Sequence, residues 1–303
     1  MQQPLVFASL AAPGATERAA FMLVESIRAF GGAYSNSPVL ILYPRVGPGL
    51  SHATQARFTD LGAETISFDI PLERLTFPFA SKVYGAGAAE EAAISRGALL
   101  CWMDPDSLVL REPGALILEP AAALGYRPVD KVLIGSPYEA PLDDFWMQIY
   151  SECGVHEHSV FPMAASVDDV VLRPYFNAGM LVVRPERGLL GSWGVQFKRL
   201  HGLAKFEPFY QAQELYRLFM HQAVLAGTIL ASLGRHEIQE LPYTVNYPLH
   251  LHPDYPATRR PHTISEIITC RYDTAFDADD WRSLPIEEPL RAWLEARIAR
   301  RRI

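Results

Sequence analysis

Short apolar runs alternate with amphipathic segments along the first third of the chain. The runs are aliphatic and β-branched and have the length of single strands, and the segments between them space their apolar residues as helices do. Strands are predicted at 5–10, 39–43, 65–70 and 98–103, and helices at 16–30, 51–61 and 81–95. Strands that alternate with helices of this length form parallel sheets covered on both faces. The pattern therefore predicts an α/β fold.

The alternation becomes less regular after residue 104. Strands are predicted at 132–135 and 178–183, with shorter extended pieces at 238–241, 243–247 and 264–270. Helices are predicted at 143–151, 188–201, 212–233 and 286–303. No internal repeat, low-complexity tract or linker-like stretch interrupts the sequence. We therefore expect residues 1–303 to form a single domain with a mixed sheet.

Composition narrows the class of protein. Lys and Arg number 27 and Asp and Glu 34, which gives a formal net charge of −7 and argues against a nucleic-acid binder, because that class needs a basic surface. The apolar runs are far shorter than the roughly 20 residues that a membrane span needs, and the first residues do not have the pattern of a secretory signal. The 3 cysteines form no CxxC pair, so a cytoplasmic location is expected.

Two carboxylates, Asp104 and Asp106, follow the fourth predicted strand with Pro105 between them. Side chains two apart on extended backbone point the same way, so both can reach one ligand. Pro105 cannot donate to a sheet, which places the pair at the carboxyl edge, where open α/β sheets bind ligands. Mg²⁺ and Mn²⁺ use one or two carboxylates together with substrate phosphates. An acidic turn is the alternative, but the position after the strand favours a metal–phosphate site.

This pair is the first of several motifs that occur in a fixed order. The others are Phe176-Asn177-Ala178-Gly179, His221-Gln222, and Leu241-Pro242-Tyr243-Thr244-Val245-Asn246. Together they resemble the GT-A glycosyltransferases, especially the family 8 group that contains glycogenin and bacterial galactosyltransferases. The resemblance implies a GT-A-like fold, with a mixed, mostly parallel central sheet flanked by helices. It also implies a nucleotide-binding half at 1–110 and a sugar- and acceptor-side half at 111–303, which ends in a helix.

The resemblance implies an enzyme that moves a hexose from a nucleoside diphosphate sugar, usually a UDP-sugar, to an acceptor, and retains the anomeric configuration. The acceptor is a glycan, a lipid or a protein. Mn²⁺ or Mg²⁺ bridges the diphosphate in such enzymes, and Asp104 and Asp106 are the expected metal ligands.

The resemblance also assigns roles to other residues of this sequence. Asn177 is expected to face the donor sugar and Gln222 to lie near its anomeric carbon, without a covalent role. Gly179 lets the backbone approach the donor, and Asn246 belongs to the last motif. Lys82, at the start of the third predicted helix, is a candidate for contact with the phosphates; a solvated lysine at a helix end is the alternative.

The sequence departs from the family pattern at two places. His221 stands where the family usually has Asp, and the His that serves as a third metal ligand is replaced by Cys270 or Arg271. Cys270 is thus a candidate third ligand, although a thiolate suits these hard cations poorly. If Arg271 points inward, its guanidinium can neutralise the diphosphate in place of a metal ion.

Two other functions stay open at this point. The departures are also typical of a protein that has kept the fold and binds nucleotide sugars, or acts as a scaffold, without transfer. A nucleotidyltransferase is the third interpretation, but residues 11–16 after the first strand contain no Lys or Arg and little Gly. The basic end of the last predicted helix leaves peripheral contact with a membrane open.

Overall fold

The computed structural model describes residues 3–277 and 279–301. The strands are β1 (Leu5–Leu10), β2 (Val39–Pro44), β3 (Ala63–Phe68), β4 (Leu99–Met103), β5 (Ser107–Val109), β6 (Leu124–Tyr126), β7 (Met163–Ala164), β8 (Val171–Leu172), β9 (Met180–Val183), β10 (Ile238–Glu240), β11 (Tyr247–Pro248) and β12 (Thr269–Arg271). The helices are α1 (Ala15–Phe30), α2 (His52–Asp60), α3 (Ala80–Ile94), α4 (Asp144–Cys153), α5 (Leu189–Leu200), α6 (Glu207–Ala212), α7 (Glu214–Ser232) and α8 (Leu290–Arg301).

The main sheet has the strand order β10–β6–β9–β4–β1–β2–β3. Strands β4, β1, β2 and β3 are parallel, as the βα alternation of the sequence predicts. β9 runs antiparallel to both β4 and β6, and β10 is parallel to β6. The predicted mixed, mostly parallel sheet flanked by helices is therefore confirmed.

Alternate residues of the central strands face two separate apolar clusters. Leu100 and Trp102 of β4 face the side covered by α3, α4, α5 and α7, whereas Leu99, Cys101 and Met103 face the side covered by α1 and α2. Every residue of β4 is buried. A strand that is covered on both faces needs a continuous apolar sequence, which is why this segment ends abruptly at its first charged residue.

A small second sheet, in the order β11–β12–β5, lies beside the end of β4. β12 is antiparallel to β5, with Cys270 opposite Leu108 and Arg271 opposite Ser107. Its apolar residues pack with those of α8 in a third cluster. The last two residues of the helix predicted at 286–303 lie outside the described part of the chain.

Several expectations for the second half of the sequence were wrong. The segment 132–135 is a turn, because the Gly135 N–H donates to the Val132 carbonyl at 2.7 Å and Leu133 has a φ of 51°. The strand beside β9 is instead β6, which the sequence pattern did not predict. In 243–247 only the last residue is in a strand, and 264–270 begins with a 3₁₀ turn before β12.

Candidate functional site

The loop that carries the two predicted carboxylates is fixed at both ends. The backbone N–H of Asp104 donates to the Gly179 carbonyl at 2.7 Å, and the Ser107 N–H donates to the Asp104 carbonyl at 3.1 Å. The Asp106 carbonyl accepts from the Tyr272 N–H at 2.9 Å. Backbone directly before β9 and directly after β12 therefore holds this loop in place at the carboxyl edge of β4.

Two cavities of about 450 and 580 Å³ open on either side of this loop. Both are lined by Phe79, Lys82, Asp104 and Asp106, which form the boundary between them. The first cavity lies at the end of β1 and the start of α1 and is lined further by Leu10, Ala15, Thr16, Ala19, Leu75, Phe77, Ala80, Ser81 and Pro105. The second is lined further by Val129, Asp130, Lys131, Leu133, Asn177, Gly179, Phe219, His221, Gln222, His250, Leu251, Arg271 and Asp273.

The carboxylates on the boundary carry more negative charge than their neighbours neutralise. Lys82 Nζ lies 2.8 Å from Asp104 Oδ2, but the buried Asp104 Oδ1 has no hydrogen-bond partner within the described residues. Burial raises the pKa of Asp106 to about 6, with a further rise from Asp104, while Arg271 and Lys82 act in the opposite direction. The pair thus presents carboxylate oxygens that lack a sufficient cation.

These oxygens fit a hard divalent cation. Mg²⁺ and Mn²⁺ prefer carboxylate, phosphate and water oxygens, and the unpartnered Asp104 Oδ1 next to Asp106 is a donor set of this kind. Within residues 3–277 and 279–301, no group of three or more His, Cys, Asp or Glu side chains is placed to hold a metal ion. Two carboxylates would therefore need phosphate and water oxygens to complete the shell.

Cys270 and Arg271 point to opposite faces of β12. Cys270 packs among apolar residues of the third cluster, and burial raises the pKa of its thiol to about 12, so the thiol is protonated at neutral pH. Arg271 lines the second cavity instead, where its Nη2 lies 2.5 Å from Asp130 Oδ2 and its Nη1 lies 3.4 Å from Asn177 Oδ1. The sequence position expected for a third metal ligand therefore brings a guanidinium into the site.

Asn177, Gly179 and Gln222 are brought together at the start of β9. The Asn177 Oδ1 accepts from the Gly179 N–H at 2.8 Å, and its Nδ2 donates to Asp130 Oδ2 at 3.2 Å. The Gln222 Oε1 accepts from the Ala178 N–H at 3.2 Å. A Cβ on Gly179 would lie 2.9 Å from Asn177 Oδ1 and 3.1 Å from Asp104 Oδ2, so a larger residue here would displace a side chain of the site.

His221 lines the same cavity from α7 and is neutral. Burial lowers its pKa well below the ordinary value, and the positive charge of Lys82 lowers it further. The imidazole Nδ1 lies 3.0 Å from the Leu218 carbonyl, which makes Nδ1 the protonated nitrogen and Nε2 the acceptor. Its ring packs against Phe79 with centroids 4.4 Å apart. Phe79 has a φ of 57°, a strained backbone for an aromatic residue.

Like Cys270, Asn246 is a predicted site residue that lines neither of these cavities, as far as the described part of the chain shows. Its backbone N–H donates to Thr269 Oγ1 at 2.8 Å, and its side chain is buried. Asp130, in contrast, was missed by the sequence reading. It lies four residues beyond β6, at the same sheet edge as Asp104, and a correct prediction of β6 would have drawn attention to it.

Comparison with known proteins decides the family. A family model described as the Rhodobacterales glycosyltransferase domain matches residues 7–230. The chain belongs to this family. The matched part of the glycosyltransferase contains Lys82, Asp104, Asp106, Asn177 and Gln222, and it ends before β12. Membership confirms the expected enzyme class and favours it over the two other interpretations of the sequence.

Solved structures confirm the fold of this glycosyltransferase. The galactosyltransferase LgtC in complex with donor and acceptor sugar analogues is 16% identical, with a TM-score of 0.50 over 98% of this chain and 94% of LgtC. An active-site mutant of LgtC is 14% identical, with a TM-score of 0.50 over 89% of this chain and 86% of the mutant. These likenesses confirm the GT-A fold and the resemblance to family 8.

No curated protein matches the sequence. Within the described residues, every helix is too short or too polar to cross a bilayer.

Proposed function

We propose that this glycosyltransferase moves a hexose from a nucleoside diphosphate sugar, with uridine as the expected nucleoside, to a glycan, lipid or protein acceptor. The observation that carries this proposal is the common boundary of the two cavities, formed by Phe79, Lys82, Asp104 and Asp106. A nucleotide sugar has the same order of parts, because its charged diphosphate joins the nucleoside to the sugar. A donor that spans both cavities has its diphosphate at the charged boundary.

The linings of the two cavities support one orientation of the donor. The first cavity has apolar walls that include Leu10, Leu75 and Phe77, and it lies at the carboxyl end of β1, where α/β sheets bind nucleotides. The second contains amide groups of Asn177 and Gln222, which are suitable partners for sugar hydroxyls. The nucleoside therefore belongs in the first cavity and the hexose in the second.

The fit of the carboxylate oxygens supports a bound divalent cation, held by Asp104 and Asp106. When bound, Mn²⁺ or Mg²⁺ neutralises the charge that builds up on a departing diphosphate. Lys82 keeps one carboxylate oxygen of Asp104 in a fixed position, and the absence of a side chain at Gly179 leaves room for it.

Asn177 and Gln222 are proposed to orient the hexose. Both side chains are nearly fully buried and each accepts a hydrogen bond from the backbone just before β9, so their amides are fixed before the donor binds. Fixed polar groups lower the entropic cost of placing the reacting sugar carbon next to the acceptor. We expect Gln222 to lie near that carbon and the transfer to retain the anomeric configuration.

The three cysteines are free and buried, which supports the proposal that the enzyme works in a reducing, cytoplasmic compartment.

Isothermal titration calorimetry with UDP tests the proposal. We expect binding that becomes at least tenfold tighter when Mn²⁺ replaces EDTA, and Asp106→Asn should remove this gain. Asp69→Asn is the matched control, because Asp69 is an exposed carboxylate outside both cavities whose side chain is 81% exposed. If UDP, ADP and GDP all fail to bind with or without Mn²⁺, the proposal is wrong.

A further inference from the structure

Arg271 reaches the donor site because of the register of the second sheet. It is the last residue of β12 and pairs with Ser107, the first residue of β5, directly after the Asp104–Asp106 loop. The next residue, Tyr272, donates its N–H to the Asp106 carbonyl. The backbone of Arg271 is therefore fixed beside the proposed position of the diphosphate, and its side chain lines the second cavity.

Asp130 and Asn177 hold the guanidinium in one orientation. The side chains of Arg271 and Asp130 are only 13% and 10% exposed, and their ion pair joins residues 141 positions apart in the sequence. The hydrogen bonds to Asn177 and Asp130 each use one N–H, on Nη1 and on Nη2 of Arg271, and a guanidinium has five N–H donors in all. Donors therefore remain on the same fixed group for a ligand that enters the cavity.

The carboxylates around Arg271 keep its guanidinium charged. Burial lowers the pKa of Arg271, but the nearby Asp130, Asp106 and Asp104 outweigh that effect and raise it, so the side chain is permanently charged. A guanidinium matches the oxygens of a phosphate with paired hydrogen bonds, which an ammonium cannot do. The family model ends at residue 230, so Arg271 lies outside the matched region.

We infer that Arg271 is a catalytic residue that binds the donor diphosphate, and that Asp130 is its positioning residue. This inference rests on the proposed function. During transfer, the bond between the sugar carbon and the diphosphate oxygen breaks, and its electron pair stays on that oxygen. The acceptor oxygen forms the new bond to the sugar carbon, and its proton is released to the solvent. Arg271 stabilises the charge that the diphosphate gains, alongside the cation proposed at Asp104 and Asp106, and its own contribution does not require that cation.

This role of Arg271 has a measurable consequence. If the Arg271 guanidinium binds the diphosphate, part of the affinity for UDP must persist in EDTA, and that part must depend on Arg271. We compare UDP binding by calorimetry in EDTA and in Mn²⁺ for the unchanged protein, Arg271→Lys and Arg271→Gln. Arg271→Gln should weaken UDP binding at least tenfold in both media. Arg271→Lys should weaken it less, since lysine keeps the positive charge but cannot form the paired hydrogen bonds of a guanidinium. Arg297→Gln is the matched control, since Arg297 forms a comparable ion pair with Glu25 and neither residue lines the two cavities.

Asp130→Asn separates positioning from binding. It keeps the charge of the guanidinium but removes the carboxylate that orients it, so kcat for a UDP-hexose should fall at least tenfold with a smaller change in KM. If Arg271→Gln unfolds because Asp130 is left unpaired, the double variant Arg271→Gln with Asp130→Asn removes both charges and takes its place. UDP binding equal to that of the unchanged protein, in an Arg271→Gln protein or a double variant that melts cooperatively, would overturn the inference. Failure of the unchanged protein to bind any nucleoside diphosphate would instead overturn the proposed function.

Discussion

Lys82 and Asp104 form an ion pair between α3 and the end of β4, with Nζ 2.8 Å from Oδ2. The pair lies on the boundary of the two cavities, and the side chains are only 10% and 15% exposed. Lys82 also lies over the ring of Phe79, with its Nζ 4.7 Å from the ring centroid. A lysine in this position neutralises one oxygen of the loop and leaves the other for a further cation.

Replacing Lys82 by methionine should weaken the binding of UDP. The change keeps the length of the side chain but leaves Asp104 uncompensated beside the proposed diphosphate. Hydrogen bonds to charged groups contribute about 1.5–3 kcal/mol, so we expect a loss of roughly 10- to 100-fold in affinity. Calorimetry in the presence of Mn²⁺ measures it, with the exposed Lys198→Met as control. An unchanged dissociation constant would mean that Lys82 does not contact the nucleotide.

Replacing Gly179 by alanine should impair the donor site. The new methyl group would lie 2.9 Å from Asn177 Oδ1 and 3.1 Å from Asp104 Oδ2, so at least one of these two side chains must move. We expect kcat for a UDP-hexose to fall at least tenfold, because small displacements of positioning groups carry large rate costs. Steady-state kinetics and a melting curve measure both effects.

Gly194→Ala, in the middle of α5, is the matched control for Gly179→Ala. A Cβ there meets nothing within 4 Å, and alanine in a helix is more stable than glycine by about 0.5–1 kcal/mol. This variant should therefore keep its activity and melt at the same or a slightly higher temperature. A Gly179→Ala protein that turns over as fast as the Gly194→Ala protein would show that the close approach at Gly179 has no role.

His201 makes the stability of the fold sensitive to acid. Its pKa is lowered, chiefly by burial and further by Arg74, while a hydrogen bond with the Phe197 carbonyl acts in the opposite direction. A group whose folded pKa lies below its unfolded value, about 6.5 for histidine, adds stability that is complete above the unfolded pKa. That stability is lost as the pH falls through the folded pKa. We therefore expect the melting temperature to decrease between about pH 7.5 and pH 5.

His201→Gln should make this decrease smaller. A glutamine can still accept from Arg74, whose Nη1 lies 2.7 Å from His201 Nε2, but it takes up no proton. Melting curves at several pH values measure the slope, with the exposed His52→Gln as control. If the melting temperature of His201→Gln falls with pH as steeply as that of the unchanged protein, His201 is not the source of the acid sensitivity. The neutral His221 would then be the next histidine to examine.

The sequence alone was sufficient for the regular elements up to β4. Strands β1, β2 and β4 and helices α1, α2 and α3 lie within about two residues of their predicted bounds, because each is a regular apolar pattern closed by Gly, Pro or a cap. Ser51 caps the start of α2, since its hydroxyl accepts from the Thr54 N–H. The same regularity placed Asp104 and Asp106 correctly at the carboxyl edge.

The second half is less regular, and its errors have physical causes. β6 has three residues, Leu124–Tyr126, and owes its place to pairing with β9 and β10, which no local pattern records. The segment 132–135 has strand-like residues but forms a turn that a left-handed Leu133 makes possible. Asp130 could not be connected to Arg271, because the two residues are 141 positions apart and meet only through the sheet register.

A crystal structure with a UDP-sugar and Mn²⁺ tests the central claim most directly. We expect the nucleoside in the cavity lined by Leu10 and Phe77, the hexose in the cavity lined by Asn177 and Gln222, and the diphosphate on the boundary at Asp104 and Asp106. Density for the donor outside these two cavities, or a diphosphate away from both carboxylates, would contradict it.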